Sequence, residues 1–60
     1  MILQKGTRYI LRFEIKLFEL VYDTTIIDDD GMHITFLDKK GKQLTYHHSK
    51  LITAEEVLAE

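Results

Sequence analysis

The chain has 60 residues, of which 45% are hydrophobic and 30% are charged, and its formal net charge is −2. These proportions are typical of a globular domain, and they exclude a disordered chain and a polycation built for nucleic acid over its whole surface. The chain has no cysteine, which excludes disulfides and zinc–thiolate sites.

The small size of the chain limits its stability. A domain of this length buries only about 60% of the surface that its unfolded form exposes, and such folds usually need a disulfide, a metal or a partner. The sources of stability that remain are a partner chain, self-assembly or a compact β-barrel. No apolar run approaches the roughly 18 residues of a membrane span, and the N-terminus lacks the apolar region of a signal peptide. We therefore expect one cytoplasmic domain, residues 1–60, without a membrane partner.

The first apolar run extends from residue 8 to residue 27 and reads RYILRFEIKLFELVYDTTII. Apart from Ile10, apolar residues occupy the odd positions from Tyr9 to Leu17, and the apolar set then shifts to the even positions Phe18, Leu20 and Tyr22. This alternation predicts strands at about 8–17 and 18–27, and the change of phase predicts a β-bulge or a sharp bend. The charged residues also recur at helical spacing, so one bent strand, two strands and a helix remain alternatives.

Two four-residue words of the form Asp-x-x-Gly come next. They are DDDG at 28–31 and DKKG at 38–41. Asp begins type I turns because its carboxylate accepts backbone N–H groups just ahead of it, and Gly takes the positive φ of a hairpin bulge. Both words therefore predict turns. The residues between and after them alternate in polarity, which predicts strands at about 32–38, 42–48 and 50–53.

The C-terminal residues carry a helix signal. Thr53 and Glu56 have the spacing of a capping box, and two glutamates fall in the first predicted turn, where the helix dipole favours them. This pattern predicts a short helix over about 54–59. The whole chain is thus predicted to be all-β, a small, strongly bent SH3-like barrel of about five strands with a short C-terminal helix.

The three consecutive aspartates do not fit a calcium loop. An EF-hand has glycine at its sixth position and a bidentate glutamate at its twelfth. With Gly31 as the sixth residue, the first is Ile26 and the twelfth is Leu37, and neither can ligate calcium. A solvated turn also explains the aspartates better than a pair of catalytic carboxylates in a cleft. We therefore predict no enzyme activity, no cofactor and no small-molecule substrate.

The three histidines give no complete metal site either. His47 and His48 are adjacent, so a regular strand points them to opposite faces. His33 and His47 are expected on the same face of neighbouring strands, which could form half a site, but no third ligand is evident. The sequence therefore predicts no metal site.

Two surfaces are candidates for macromolecular contact. Cations beside stackable rings are typical of single-stranded nucleic acid recognition, and such residues follow the second turn: Lys39, Lys40, Lys42, Tyr46, His47, His48 and Lys50. The alternative is a lysine-rich hairpin that resists edge-to-edge aggregation. The first run is also more apolar than one face of a small domain requires, which predicts a protein interface at Phe13, Phe18, Leu20 and Tyr22.

The segment QLTYHHSKLIT, residues 43–53, resembles the second Sm motif of bacterial Hfq-type proteins, whose core reads Tyr-Lys-His-Ala. Tyr46 and His48 match the Tyr and His of that motif, while His47 and Ser49 replace its Lys and Ala. In that family the segment helps to form the subunit interface and an RNA site beside the pore. The resemblance implies an Sm-like barrel in which Tyr46, His47 and His48 contact RNA.

Two hypotheses of function follow. The first is a small regulatory or adaptor protein, not an enzyme, that acts by contact with another protein or by self-association into a homo-oligomer. The alternative is an Sm-like RNA-binding protein that uses the lysine-rich hairpin and Tyr46 to His48.

Overall fold

The computed structural model describes residues 2–58. These residues form an antiparallel β-sheet of five strands in the order β4-β3-β2-β1-β5, which confirms the predicted all-β class. The strands are β1 (Arg8–Ile15), β2 (Phe18–Asp29), β3 (His33–Leu37), β4 (Gln43–His47) and β5 (Leu51–Glu56). A single 3-10 turn, His48–Lys50, joins β4 to β5. No helix in this part of the chain is long and apolar enough to cross a membrane.

The first apolar run forms two strands joined by a two-residue turn. Lys16 and Leu17 form the turn with φ of 49° and 71°, and Ile15 pairs with Phe18 directly across it. Positive φ at both central residues is the pattern of a type I′ hairpin turn. The turn also explains the change of phase, because odd-numbered residues of β1 face even-numbered residues of β2 on one side of the sheet.

The long strand β2 changes partner along its length. Its residues 18–25 pair with β1, and from Ile26 it pairs with β3. The register with β3 shifts between Ile26 and Asp28, and the register of β1 with β5 shifts at Arg12 and Phe13. Such bulges bend a strand and increase its local twist, so the sheet curves around one apolar face.

The core lies on that curved face. Seven hydrophobic side chains are buried there: Leu3, Tyr9, Leu11, Phe13, Ile26, Ile34 and Phe36. The rings of Phe13 and Phe36 are stacked with centroids 5.7 Å apart. Tyr22 and Tyr46 pack at the margin of the cluster, and their hydroxyl oxygens lie 2.9 Å apart. Burial raises the pKa of Tyr22 to about 12, with a further contribution from the hydrogen bond to Tyr46.

The helix predicted at 54–59 is wrong. Ala54 to Glu56 belong to β5, Val57 and Leu58 are not helical, and residues 59 and 60 lie outside the described residues. A two-turn helix with two apolar anchors is marginal. As strand β5, the same residues instead pair with the free edge of β1, where Ala54 lies opposite Leu11 and packs against the core. His48 and Lys50 were also assigned to strands, but they lie in the 3-10 turn.

Candidate functional site

The tip of the β1–β2 hairpin exposes a group of apolar side chains, which we call the tip patch: Ile15, Leu17, Phe18 and Leu20. Leu17 is 97% exposed and Phe18 is 71% exposed, whereas the other two members are half-buried. The register places the strand residues of the patch on the same side of the hairpin as Phe13. The tip patch is therefore the solvent-exposed continuation of the core face.

The structure divides the interface residues predicted from the sequence. Phe18 is exposed and Leu20 is half-buried, so both are accessible to a partner. Tyr22 is half-buried against the aromatic cluster. Phe13 is completely buried, so its assignment to an interface is wrong, because its side chain forms the centre of the core. The alternation pattern missed Leu17, since it placed that residue inside a strand.

The predicted nucleic-acid residues lie at two ends of the β3–β4 hairpin. Lys39, Lys40 and Lys42 lie in or beside the β3–β4 turn, whereas His47 ends β4 at the opposite end. His47 lies five residue steps of extended chain beyond Lys42, which corresponds to about 16 Å. His48 and Lys50 follow in the 3-10 turn.

The lysine turn is held by its own aspartate. The Asp38 carboxylate accepts hydrogen bonds from the backbone N–H groups of Lys40 and Lys42, both at 2.8 Å. Gly41 has φ of 80°, as the Asp-x-x-Gly pattern predicts. Among the described residues, the ion pairs involve none of the three lysines of this turn. Two open clefts of about 360 and 280 Å³ flank the turn and share Asp38 and Lys39.

A second basic row on β1 is paired with carboxylates. Arg8 donates two hydrogen bonds of 2.7 Å to Asp23, and Arg12 donates one of 2.7 Å to Glu19. The bond from Arg8 lowers the pKa of the Asp23 carboxyl, although burial opposes the shift. These arginines are thus less free to bind phosphate than the lysine turn.

The second aspartate of the DDDG segment, Asp29, is the most buried carboxylate among the ion pairs of the described residues. The Asp29 side chain is fully buried, and its oxygens lie 2.8 Å from His48 Nε2. It also accepts the backbone N–H groups of Leu3 at 2.7 Å and Gly31 at 2.8 Å. Burial alone would raise the pKa of Asp29, but the bonds from Leu3, Gly31 and His48 outweigh burial and lower it. Asp29 and His48 therefore tie the N-terminal segment, the β2–β3 turn and the 3-10 turn together.

The remaining two histidines face each other across β3 and β4. His33 and His47 are register partners, and their ring centroids lie 5.2 Å apart. Asp30 accepts the backbone N–H groups of Met32 and His33, and these bonds lower the pKa of its carboxyl. No group of three or more metal-binding side chains is found within residues 2–58.

The tip patch is thus exposed at its centre and the lysine turn lies outside the ion pairs of the described residues, while Tyr46 and His48 are engaged in packing and hydrogen bonding. No protein-family model matches the chain, and no significant match is found among curated proteins or among solved structures.

Proposed function

We propose that this chain is a small binding module, not an enzyme, that acts by protein contact through its tip patch, in the first instance with a second copy of itself. The observation that carries the proposal is the pair of neighbouring residues Leu17 and Phe18, which are 97% and 71% exposed. A contiguous exposed apolar patch marks an interaction surface.

The backbone of the turn supports the same proposal. Lys16 and Leu17 both have positive φ, a conformation that costs non-glycine residues of order 1–3 kcal/mol each. Asn-Gly would fit a type I′ turn with less strain and without exposed apolar surface. A strained turn that presents a leucine to solvent is therefore explained if the leucine contacts a partner.

The solution mass tests the proposal. We expect light scattering at about 100 µM protein to give a mass above the 7.1 kDa of one chain and Phe18→Asp to reduce it to one chain, because the charge must be desolvated in an apolar contact. Met32→Asp is the matched control, since Met32 is 59% exposed and lies away from the tip patch. An unchanged mass in a folded Phe18→Asp variant contradicts the use of this patch.

We further propose that the curved sheet is a small SH3-like barrel. Pairing of β1 with both β2 and β5, the two register shifts and the 3-10 turn between the last two strands support this arrangement. Such barrels serve many unrelated functions, so the fold by itself does not indicate a partner.

The second candidate function is Sm-like RNA binding. The favouring observation is the lysine turn, whose three lysines lie close together and outside the ion pairs of the described residues. Contacts from several lysines to phosphates make affinity fall steeply with salt. Lys39, Lys40 and Lys42 changed together to Glu should abolish binding to single-stranded RNA at low salt, and retained binding would reject this turn as the RNA site.

A further inference from the structure

His33 and His47 form a cross-strand pair on an exposed part of the sheet. They are direct register partners on β3 and β4, and their rings lie nearly perpendicular at 86° with centroids 5.2 Å apart. The backbone N–H of His48 donates to the carbonyl of Met32 at 2.8 Å. This bond continues the ladder beyond the pair, so both histidines are held on paired backbone.

The separation of the rings fits one bridging metal ion. Two imidazoles that bind the same tetrahedral zinc ion, with Zn–N bonds of about 2.0–2.1 Å, have ring centroids about 5.2 Å apart. A square-planar cis arrangement brings the centroids to about 4.5 Å. The observed 5.2 Å matches the tetrahedral case. We propose that Nε2 of His33 and Nε2 of His47 bind one zinc-type divalent cation, with water in the remaining positions.

The neighbours of the two rings favour coordination through Nε2. A metal-bound histidine usually donates its other ring N–H to a carboxylate, a carbonyl or another polar oxygen. His33 Nδ1 lies 3.9 Å from Asp30 Oδ2, and two backbone N–H groups hold that carboxylate in place. This separation is longer than a hydrogen bond, so Asp30 contributes a nearby negative charge that offsets the charge of the ion.

His47 has a corresponding partner in the 3-10 turn. Its Nδ1 lies 3.0 Å from both the hydroxyl oxygen and the backbone N–H of Ser49. In the structure Nδ1 accepts the N–H of Ser49, a contact that requires the neutral tautomer with its proton on Nε2. Coordination moves that proton to Nδ1, which then donates to Ser49 Oγ. The N–H of Ser49 then loses its bond to Nδ1, which reduces the affinity of the site.

This site departs from the sequence-based expectation of no metal, which rested on the lack of a third protein ligand. Two histidines and solvent complete a tetrahedron without one, at the cost of affinity. Because a metal ion binds only the neutral form of imidazole, zinc binding weakens as the pH falls.

Calorimetric titration of the chelator-treated chain with zinc chloride at pH 7.5 tests the proposal. We expect one zinc ion per chain, at least a tenfold loss of affinity in His33→Gln and in His47→Gln, and a smaller loss in Ser49→Ala. Both histidines are exposed, so the variants should keep the melting temperature of the metal-free chain, and zinc should raise that temperature only in the wild type. Asp28→Asn is the control, because Asp28 is exposed on β2 beside the same turn.

Three results would overturn the proposal. They are no binding at 1 mM zinc chloride, equal affinity in the wild type and both histidine variants, and loss of affinity in Asp28→Asn alone. The last result would place the ion on the acidic turn instead of on the histidine pair.

Discussion

At the scale of single residues, Asp29 connects three separate parts of the chain. Its buried carboxylate accepts the N–H groups of Leu3 and Gly31 and lies 2.8 Å from His48 Nε2. Asparagine at this position offers one oxygen instead of two, so the N–H of either Leu3 or Gly31 faces an amide NH₂. Loss of a hydrogen bond to a buried charged group costs about 1.5–3 kcal/mol.

We expect Asp29→Asn to lower the free energy of unfolding at pH 7 by about 2 kcal/mol, measured by urea denaturation. The pKa of Asp29 is lowered in the folded state, so its stabilising effect is present above the unfolded pKa near 3.8 and is lost as the pH falls through the folded pKa. The variant should therefore lose less stability than the wild type between pH 5 and pH 2.

Asp28→Asn serves as the control for this prediction, because the exposed Asp28 side chain forms none of the hydrogen bonds that Asp29 makes. We expect a change within about 0.5 kcal/mol for it. If Asp29→Asn were equally neutral, the carboxylate would not be holding the N-terminal segment.

At the scale of elements, the two kinds of turn differ in how far they could be predicted. The turn at Asp38–Gly41 is predictable from the sequence. The Asp38 side chain accepts backbone N–H groups, and Gly41 takes a positive φ. In the DDDG segment the accepting residues are Asp29, which ends β2, and Asp30, whereas Asp28, the first aspartate, lies one residue before the end of the strand. The Lys16–Leu17 turn has neither feature, so the sequence indicated this hairpin only by the change from odd to even apolar positions.

The C-terminal strand shows why the remainder could not be predicted. A capping box reports a local preference, but pairing with β1 is a contact between residues more than 40 positions apart, such as Leu11 and Ala54. The candidate site shows the same limit. Phe13 and Phe18 look alike in the sequence, and only the distance of each from the hairpin tip decides which is buried.

The strain in the Lys16–Leu17 turn leads to a prediction with two opposite effects. Leu17→Gly removes the penalty of a positive φ of 71°, and we expect the isolated chain to gain about 1 kcal/mol of stability. The same change removes the most exposed member of the tip patch, so self-association should weaken. Urea denaturation at low protein concentration measures the first effect, and light scattering at high concentration measures the second.

Leu17→Ala separates the two effects, because alanine removes most of the apolar contact but keeps the unfavourable backbone conformation. It should weaken association without the gain in stability. If Leu17→Gly destabilised the isolated chain, relief of strain at this turn would be the wrong account of its effect.

At the scale of the whole molecule, the core is small and the chain has no covalent cross-link. Seven hydrophobic side chains are buried among residues 2–58, and a domain of 60 residues with a core of this size is marginally stable. An associated state that binds folded chains, and not unfolded ones, adds stability that grows with protein concentration. The tip patch is continuous with the core face, so association there would extend the apolar contacts of the core across an interface.

We therefore expect the melting temperature of the wild type to rise as its concentration is raised from about 5 to 500 µM, since self-association couples to folding by mass action. Phe18→Asp should melt at one temperature throughout this range, whereas Met32→Asp should retain the dependence on concentration. A concentration-independent wild type that is nevertheless stable would mean that the core suffices without a second copy. In that case we would propose a different protein as the partner of the tip patch, because Leu17 and Phe18 would remain largely exposed in the free chain.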